Sequence, residues 1–238
     1  MNKSQPCSVR FLSGSMLKLF AVICMLIDHL GAFMSPVCPW MKPTLFTLGS
    51  HTIDVYYLFR SIGRSAFPLF CFLLAEGYLH TKNRVRYGIT LLIGALVSEI
   101  PFNLAYSGKM MLRGHQNVFF TLLLGYLGIC CYEHFHDRLW LRIVTVVGLF
   151  FVAYFLKADY GITGYGIILA TYIMRNELLT LGIIGCLVLD LRCFPAYICM
   201  ALYNGRRGFI KGRALQYAFY AFYPLHLLIL YLIRTALL

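Results

Sequence analysis

Apolar positions in this chain neither alternate with polar ones at a strand period nor form a single stripe at a surface-helix period. They run in solid blocks separated by short polar punctuation, over residues 16–34, 60–79, 88–106, 117–132, 140–156, 162–174, 178–190, 194–204 and 215–234. A helix needs roughly 20 residues to cross the hydrocarbon of a bilayer, so the longer blocks predict membrane spans. The later blocks are shorter, and 178–204 reads as one kinked element or as two short ones. The expected fold class is all-α: a polytopic transmembrane helical bundle of about nine spans, roughly eight to ten. A tail over 1–15 and a single domain over 16–238 are expected. No small-residue cleavage site follows the block at 16–34 and further spans come after it, so it reads as a retained first helix and not as a signal peptide.

Composition agrees. Of the 238 residues, 60% are apolar and 13% charged, with a mean hydropathy of +0.74, whereas soluble domains carry about 25% charged residues. A cytosolic Rossmann enzyme, a secreted disulfide scaffold and a DNA-binding module are all excluded.

The net charge of +12 would raise the question of nucleic acid in a soluble protein. In a membrane chain basic residues mark cytoplasmic loops, so the expected partner is the lipid bilayer and no nucleic acid. With the N-terminus cytoplasmic, Lys3, Arg10, Lys18, Lys82, Arg84, Arg86, Arg138, Arg142, Arg175, Arg206, Arg207, Lys211 and Arg213 lie inside. Lys42, Lys109, Arg113, Lys157, Arg192 and Arg234 lie outside, with Arg60 and Arg64 in a span. That imbalance predicts a cytoplasmic N-terminus. The cysteines mostly sit inside apolar runs without metal spacing and read as packing residues; Cys38 and Cys193 both fall in external loops, which leaves a disulfide between them open.

Ionisable groups at bilayer depth are costly, so each needs a partner, a cavity or a substrate. The first span holds Lys18, Asp28 and His29; the second Arg60, Arg64 and Glu76; the third Glu99; the last His226. Lys18 and His29 share one helix face about 16 Å apart along the axis. Asp28 is turned one residue away and cannot orient His29 within the same turn, so its partner must lie elsewhere. Arg60 and Arg64, four apart, predict a basic fork on one helix face, suited to phosphate or carboxylate, or else paired internally with Glu76 or Glu99. Pro101 beside Glu99 predicts a kink that lines a cavity. Asn117, Asp159, Asn204, Tyr223 and His226 complete the polar set, His226 becoming a site candidate only if it faces His29. Proton-relay transport and acyl transfer both use such groups, whereas metal catalysis is not expected, the histidines lacking ligand spacing.

The run Met25-Leu26-Ile27-Asp28-His29-Leu30-Gly31 with 17–19 is similar to the opening signature of the TraX family. Residues 62–70 with 76–81, 98–104, 117–125, 159–161, 203–208 and 222–227 continue the resemblance in the family's order. The resemblance implies a bacterial inner-membrane acetyltransferase, since the family's namesake acetylates the amino terminus of a conjugative pilin from acetyl-CoA. It also implies kinship with the acyltransferase-3 group, in whose first helix a basic residue precedes a histidine by about three turns; Lys18 and His29 keep that order, with Lys where Arg is usual.

On this reading acetyl-CoA is the acyl donor, with no metal, and Lys18, Arg60, Arg206 and Arg207 are its candidate contacts. His29 acts as general base or accepts the acetyl group itself, Arg64 or Asn117 steadies the oxyanion, and Asp28, Glu76 and Glu99 orient His29 and the arginines. Asp159, Asn204, Tyr223 and His226 line the cavity. The acceptor is an exported, pilin-like protein or an envelope glycan. A proton-coupled transporter or a non-catalytic pilus-assembly protein is the alternative of another class.

Overall fold

A computed structural model describes residues 10–49, 51–111 and 114–238. Most of the 1–15 tail, Lys3 included, and Arg113 lie outside the described residues. Within them the chain is nearly all α: α1 (Gly14–Met34), α2 (Val55–Gly63), α3 (Ala66–His80), α4 (Arg84–Ser107), α5 (Val118–His134), α6 (Leu139–Leu156), α7 (Gly161–Ile173), α8 (Leu178–Val188), α9 (Phe194–Ala201) and α10 (Arg213–Leu237). A 3-10 turn at Pro39–Met41 and a two-stranded antiparallel hairpin, Phe46–Leu48 with His51–Ile53, link α1 to α2.

Among the described residues five segments are long and apolar enough to cross a bilayer: α1, the α2–α3 pair over Val55–His80, α4, α6 and α10. The helices α5, α7, α8 and the Leu191–Ala201 segment containing α9 are apolar but shorter.

Short polar residues start these helices because their side chains satisfy the first free N–H groups. Ser13 accepts from Met16 N, Asp54 from Tyr57 N at 2.6 Å, Asn83 from Arg86 N at 2.8 Å and Asn117 from Phe119 N at 3.0 Å. Gly108, in the left-handed region at φ 71°, ends α4.

Two departures from the apolar blocks matter. The expected span 60–79 begins at Val55 and breaks between Gly63 and Ala66, so Arg60 and Arg64 do not share one continuous helix face. The 178–204 block is two short helices joined by a 3-10 turn at Leu191–Cys193. The expected tail also ends earlier, because Ser13 caps α1.

The helix α1 packs against α2, α3 and α10; α5 packs between α4 and α7; α9 packs on α3 and α8. Close approach in the α5–α7 pair depends on small residues, since a Cβ on Gly128 would meet the Tyr165 hydroxyl at 2.8 Å. Buried Tyr78, Tyr126 and Tyr165 fill this region. By contrast α6 buries only Ala153 and exposes Trp140, Ile143, Val147, Phe151 and Phe155. A helix with such an apolar outside is solvated by lipid, not by water.

One end of α1 is closed by a distant loop. Gly14 N and Ser15 N donate to the carbonyls of Arg206 and Arg207 at 2.8 and 2.9 Å, and Leu12 N donates to Leu202 O at 3.0 Å. Ser15 Oγ also accepts from Ile210 N at 2.8 Å. Gly208, at φ 87°, is required there, because a Cβ would strike the Ser13 and Ser15 hydroxyls.

Candidate functional site

The polar groups gather toward the other end of α1, about 22 Å along its axis from Gly14. Here Asp28 and His29 project to different neighbours. Asp28 Oδ2 accepts from Arg60 Nη1 at 2.5 Å, a pair in which both side chains are mostly buried. Gly63 makes room for it: a Cβ there would overlap the Asp28 carboxylate. Asp28 thus finds its partner on α2, and Arg60 is engaged at this end and not at the end where Lys18, Arg206 and Arg207 lie.

His29 turns to α10. Its Nδ1 lies 2.6 Å from His226 Nε2, and His226 Nδ1 lies 2.7 Å from the Phe222 carbonyl. The two rings are nearly coplanar, 8° apart, with centroids 4.9 Å apart. With so short a nitrogen–nitrogen gap, that separation is spanned by the ring radii themselves, so the rings meet edge to edge in a hydrogen bond and do not stack. Phe33 and buried Tyr223 flank His29, with centroids 5.5 and 6.1 Å away.

Arg64 lies beyond the end of α2, where its Nε is 3.8 Å from Asp190 Oδ2. Asp190 is held bidentately by Arg192, Nη2 to Oδ2 at 2.6 Å and Nε to Oδ1 at 2.9 Å. These hydrogen bonds hold its carboxyl down at about 2. Arg192 also reaches Ser61 Oγ and lies over the Tyr57 ring, so this cluster ties the loop after α8 to α2.

A loop between α6 and α7 covers the group. Tyr160, in the left-handed region at φ 63°, stacks on Phe67 with centroids 3.8 Å apart. Burial raises the Asp159 carboxyl above the ordinary carboxylate range, opposed by His115, the Tyr160 N–H, Arg60 and Arg64. The buried Thr121 hydroxyl donates to the Asp159 carbonyl and anchors the loop. Among the described residues two buried polar atoms in this neighbourhood, Asp28 Oδ1 and Arg64 Nε, have no hydrogen-bond partner; Oδ1 is packed against Gly63, which leaves Arg64 Nε as the spare donor.

Other expected roles are corrected. Neither arginine pairs with Glu76 or Glu99. Glu76 lies 3.4 Å from His80 Nε2 toward the far end of α3, where burial and then the Glu76 carboxylate push up the Tyr203 phenol; it orients neither His29 nor an arginine. Glu99 holds α5 instead: Asn117 Nδ2 donates to Glu99 Oε2 at 2.6 Å and to Ala95 O at 2.8 Å, and Asn103 Nδ2 donates to Glu99 Oε1 at 3.3 Å. Asn117 is wholly buried with its amide committed as cap and tether, so it has no donor to spare for an oxyanion. Asn204 shapes the distal loop by accepting from Arg206 N at 2.9 Å; it lies at the end of α1 remote from His29. Lys18 is half-buried on α1, and Arg206 and Arg207 are exposed beside its first turn. Cys38 and Cys193 are both free, so the disulfide left open by the sequence does not form; Cys193 is buried beside Cys186.

Sequence reasoning passed over Gly63, Asp190, Arg192 and the Phe222 carbonyl. An acid followed two residues later by arginine at the end of an apolar block was the available signal for Asp190 and Arg192. A groove of about 330 Å³ between α4 and α10 runs from Arg86 and Tyr217 to Val97 and Pro224, one residue from Tyr223.

The family model described as TraX protein matches residues 13–234. The chain is also similar to a probable fimbrial assembly protein FimC, serogroup H1, of Dichelobacter nodosus, at 28% identity over 250 residues, covering 92% of this chain and 94% of the relative. No solved structure matches it significantly.

Proposed function

The chain belongs to the TraX family, and on that premise we propose that it is a membrane-embedded acetyltransferase of the bacterial inner membrane that moves an acetyl group from acetyl-CoA to the terminal amine of a pilin-like exported protein. The family membership and the fimbrial-assembly description of a relative support a pilus-related role. The observation that carries the catalytic reading is the His29–His226 pair set beside the Asp28–Arg60 ion pair, with Arg64 Nε lacking a hydrogen-bond partner.

The proposed orientation puts the N-terminus in the cytoplasm, which is the side the basic residues favour. The exposed Arg206 and Arg207 at the first turn of α1 then meet the phosphates of the donor, with Lys18 one turn further in. The distance from Lys18 to His29, about 16 Å, suits an extended thiol-bearing arm, and the α4–α10 groove gives a lateral approach. The short helices α5, α7, α8 and α9 complete a bundle of about nine crossings, each thinner than the roughly 20-residue norm.

When bound, acetyl-CoA supplies a thioester carbonyl open to attack. An α-amine has a pKa near 8, so the attacking form is the neutral fraction, whose ammonium proton has already passed to solvent, and a base must take the second proton that the nitrogen sheds on acylation. His29 takes a proton from the nitrogen as the N–C bond forms. Arg64 faces the charge developing on the carbonyl oxygen, an interaction typically worth about 3 kcal/mol. As the C–S bond breaks, His29 returns the proton to sulfur, giving amide and free thiol.

The test is purified protein with acetyl-labelled acetyl-CoA and a peptide bearing the pilin amino terminus. Label on the peptide's α-amine, absent with His29→Ala, is the expected result. Label on envelope glycan alone would move the acceptor to a sugar. No transfer to either, with His29→Ala cells assembling pili normally, would overturn the enzymatic reading in favour of a non-catalytic assembly role.

A further inference from the structure

We propose that His226 is a positioning residue that fixes the tautomer of His29, leaving His29 Nε2 as the unprotonated nitrogen that meets the substrate. The mechanistic consequence rests on the acetyl-transfer reading above; the proton assignment rests on geometry alone.

The assignment starts from the one partner whose role is fixed. A carbonyl oxygen only accepts, so the ring nitrogen 2.7 Å from Phe222 O, His226 Nδ1, carries a hydrogen. A neutral imidazole has one N–H, so His226 Nε2 is then a lone pair. That lone pair lies 2.6 Å from His29 Nδ1. Two lone pairs so close would repel, so His29 Nδ1 carries the hydrogen between the rings and its single N–H is used. His29 Nε2 is therefore the free base. The reverse order needs a charged His226, a buried imidazolium that has lost its water.

Packing holds the rings in this register. Phe222 lies against His226 at 4.9 Å and 17°, Tyr223 meets it edge-on at 5.7 Å, and Phe33 flanks His29. A ring flip of either imidazole would trade a nitrogen for a carbon at the shared contact and leave a buried lone pair or N–H unsatisfied. The near-coplanar alignment is what a proton moving between the nitrogens requires.

The arrangement also shares the charge created in the reaction. When His29 Nε2 takes the amine proton, an N–H bond of the acceptor breaks and Nε2–H forms. The Nδ1 proton can then shift to His226 Nε2, so that the positive charge spreads to the second ring, whose Nδ1–H is held by the Phe222 carbonyl. The shift reverses when Nε2 gives its proton to the leaving sulfur, and both rings return to their starting forms. Hydrogen bonding to the second nitrogen is the general means by which proteins choose a histidine's reactive atom.

The experiment is 15N spectroscopy of histidine-labelled full-length protein in detergent micelles, with the His29 signals identified by their loss in His29→Ala. The wild-type spectrum is expected to show His29 protonated at Nδ1 and bare at Nε2. In His226→Phe, which keeps the ring and removes the acceptor, that preference should vanish, and in His226→Gln, whose amide oxygen can accept from Nδ1–H, it should return. The kcat for acetyl transfer should fall roughly a hundredfold in the Phe variant with KM for acetyl-CoA unchanged, and recover in the Gln variant. A wild-type His29 protonated at Nε2 would overturn the proposal without any variant having to fold. The expected tautomer in a protein that transfers no acetyl group would leave the proton assignment standing and reject the acetyltransferase reading.

Discussion

Asp28 Oδ2 accepts from Arg60 Nη1 at 2.5 Å, so the residue preceding the candidate base is committed to α2 and not to the imidazole beside it. The pair fastens α1 to α2 at the level of the site. Asp28→Asn and Arg60→Gln should each lower stability by about 1–3 kcal/mol, less than a fully enclosed pair because both side chains keep some exposure. A double-mutant cycle read by unfolding in mixed micelles should give a coupling on the order of 1–2 kcal/mol. Simple additivity would mean that the pair fixes nothing.

Gly63→Ala places a methyl group where the Asp28 carboxylate sits. The expected cost is about 1–3 kcal/mol from overpacking, together with loss of acetyl transfer. Asp28→Ala alone already lacks the ion pair, so adding Gly63→Ala to it should cost little further stability, with activity lost in both. A full extra cost of Gly63→Ala in the Asp28→Ala background would place the strain elsewhere.

Asn117→Ala removes the cap of α5 and strips Glu99 of its closest donor. The two losses sum to about 2–4 kcal/mol. Asn117→Asp is a sharper probe, since it sets a second carboxylate against Glu99. Its stability deficit should be large at neutral pH and shrink as the medium is acidified and one acid takes up a proton, as circular dichroism against pH would record.

Asp190 titrates at about 2 in the folded chain, below its ordinary 3.8. A depressed carboxyl stabilises the fold above its unfolded pKa, and that contribution fades as pH falls through the folded one. Stability should therefore drop between about pH 3.8 and 2, and Asp190→Asn should flatten that part of the curve while lowering stability at neutral pH. An unchanged slope would show that the arginine contacts are not formed.

Neutralising Arg206 and Arg207 together should raise KM for acetyl-CoA about a hundredfold or more with kcat retained, since each lost charge-assisted contact to phosphate removes roughly 1.5–3 kcal/mol of binding in the absence of compensation. The loop itself should survive, because its tie to α1 runs through the backbone carbonyls of these residues.

The helical architecture was readable because bilayer-length apolar blocks leave the backbone little choice but to bond within itself. Boundaries failed where that constraint relaxes. The break after Gly63 falls among Arg60, Ser61, Arg64 and Ser65, but a span-length block averages over these few polar positions and reads 60–79 as one element; the break decides that Arg60 and Arg64 take different partners. Register along α1 correctly separated Asp28 from His29 and sent its carboxylate to another element. It could not say which one, because Arg60, Glu76 and Glu99 differ in depth, and depth depends on where each helix begins. Asn117 looked like a free polar side chain and is a saturated cap, a distinction that only the positions of Ala95 and Glu99 reveal.

Both ends of α1 are finished by segments made only after α9. Its opening amides wait for the carbonyls of residues 206 and 207, and His29 waits for residue 226. During synthesis the first helix must therefore enter the membrane incomplete and stay so while most of the chain is still being translated. A chain cut short before residue 200 would have α1 to α8 made, an open first turn and a solitary imidazole, the kind of unfinished intermediate that membrane proteases can tell from the completed protein.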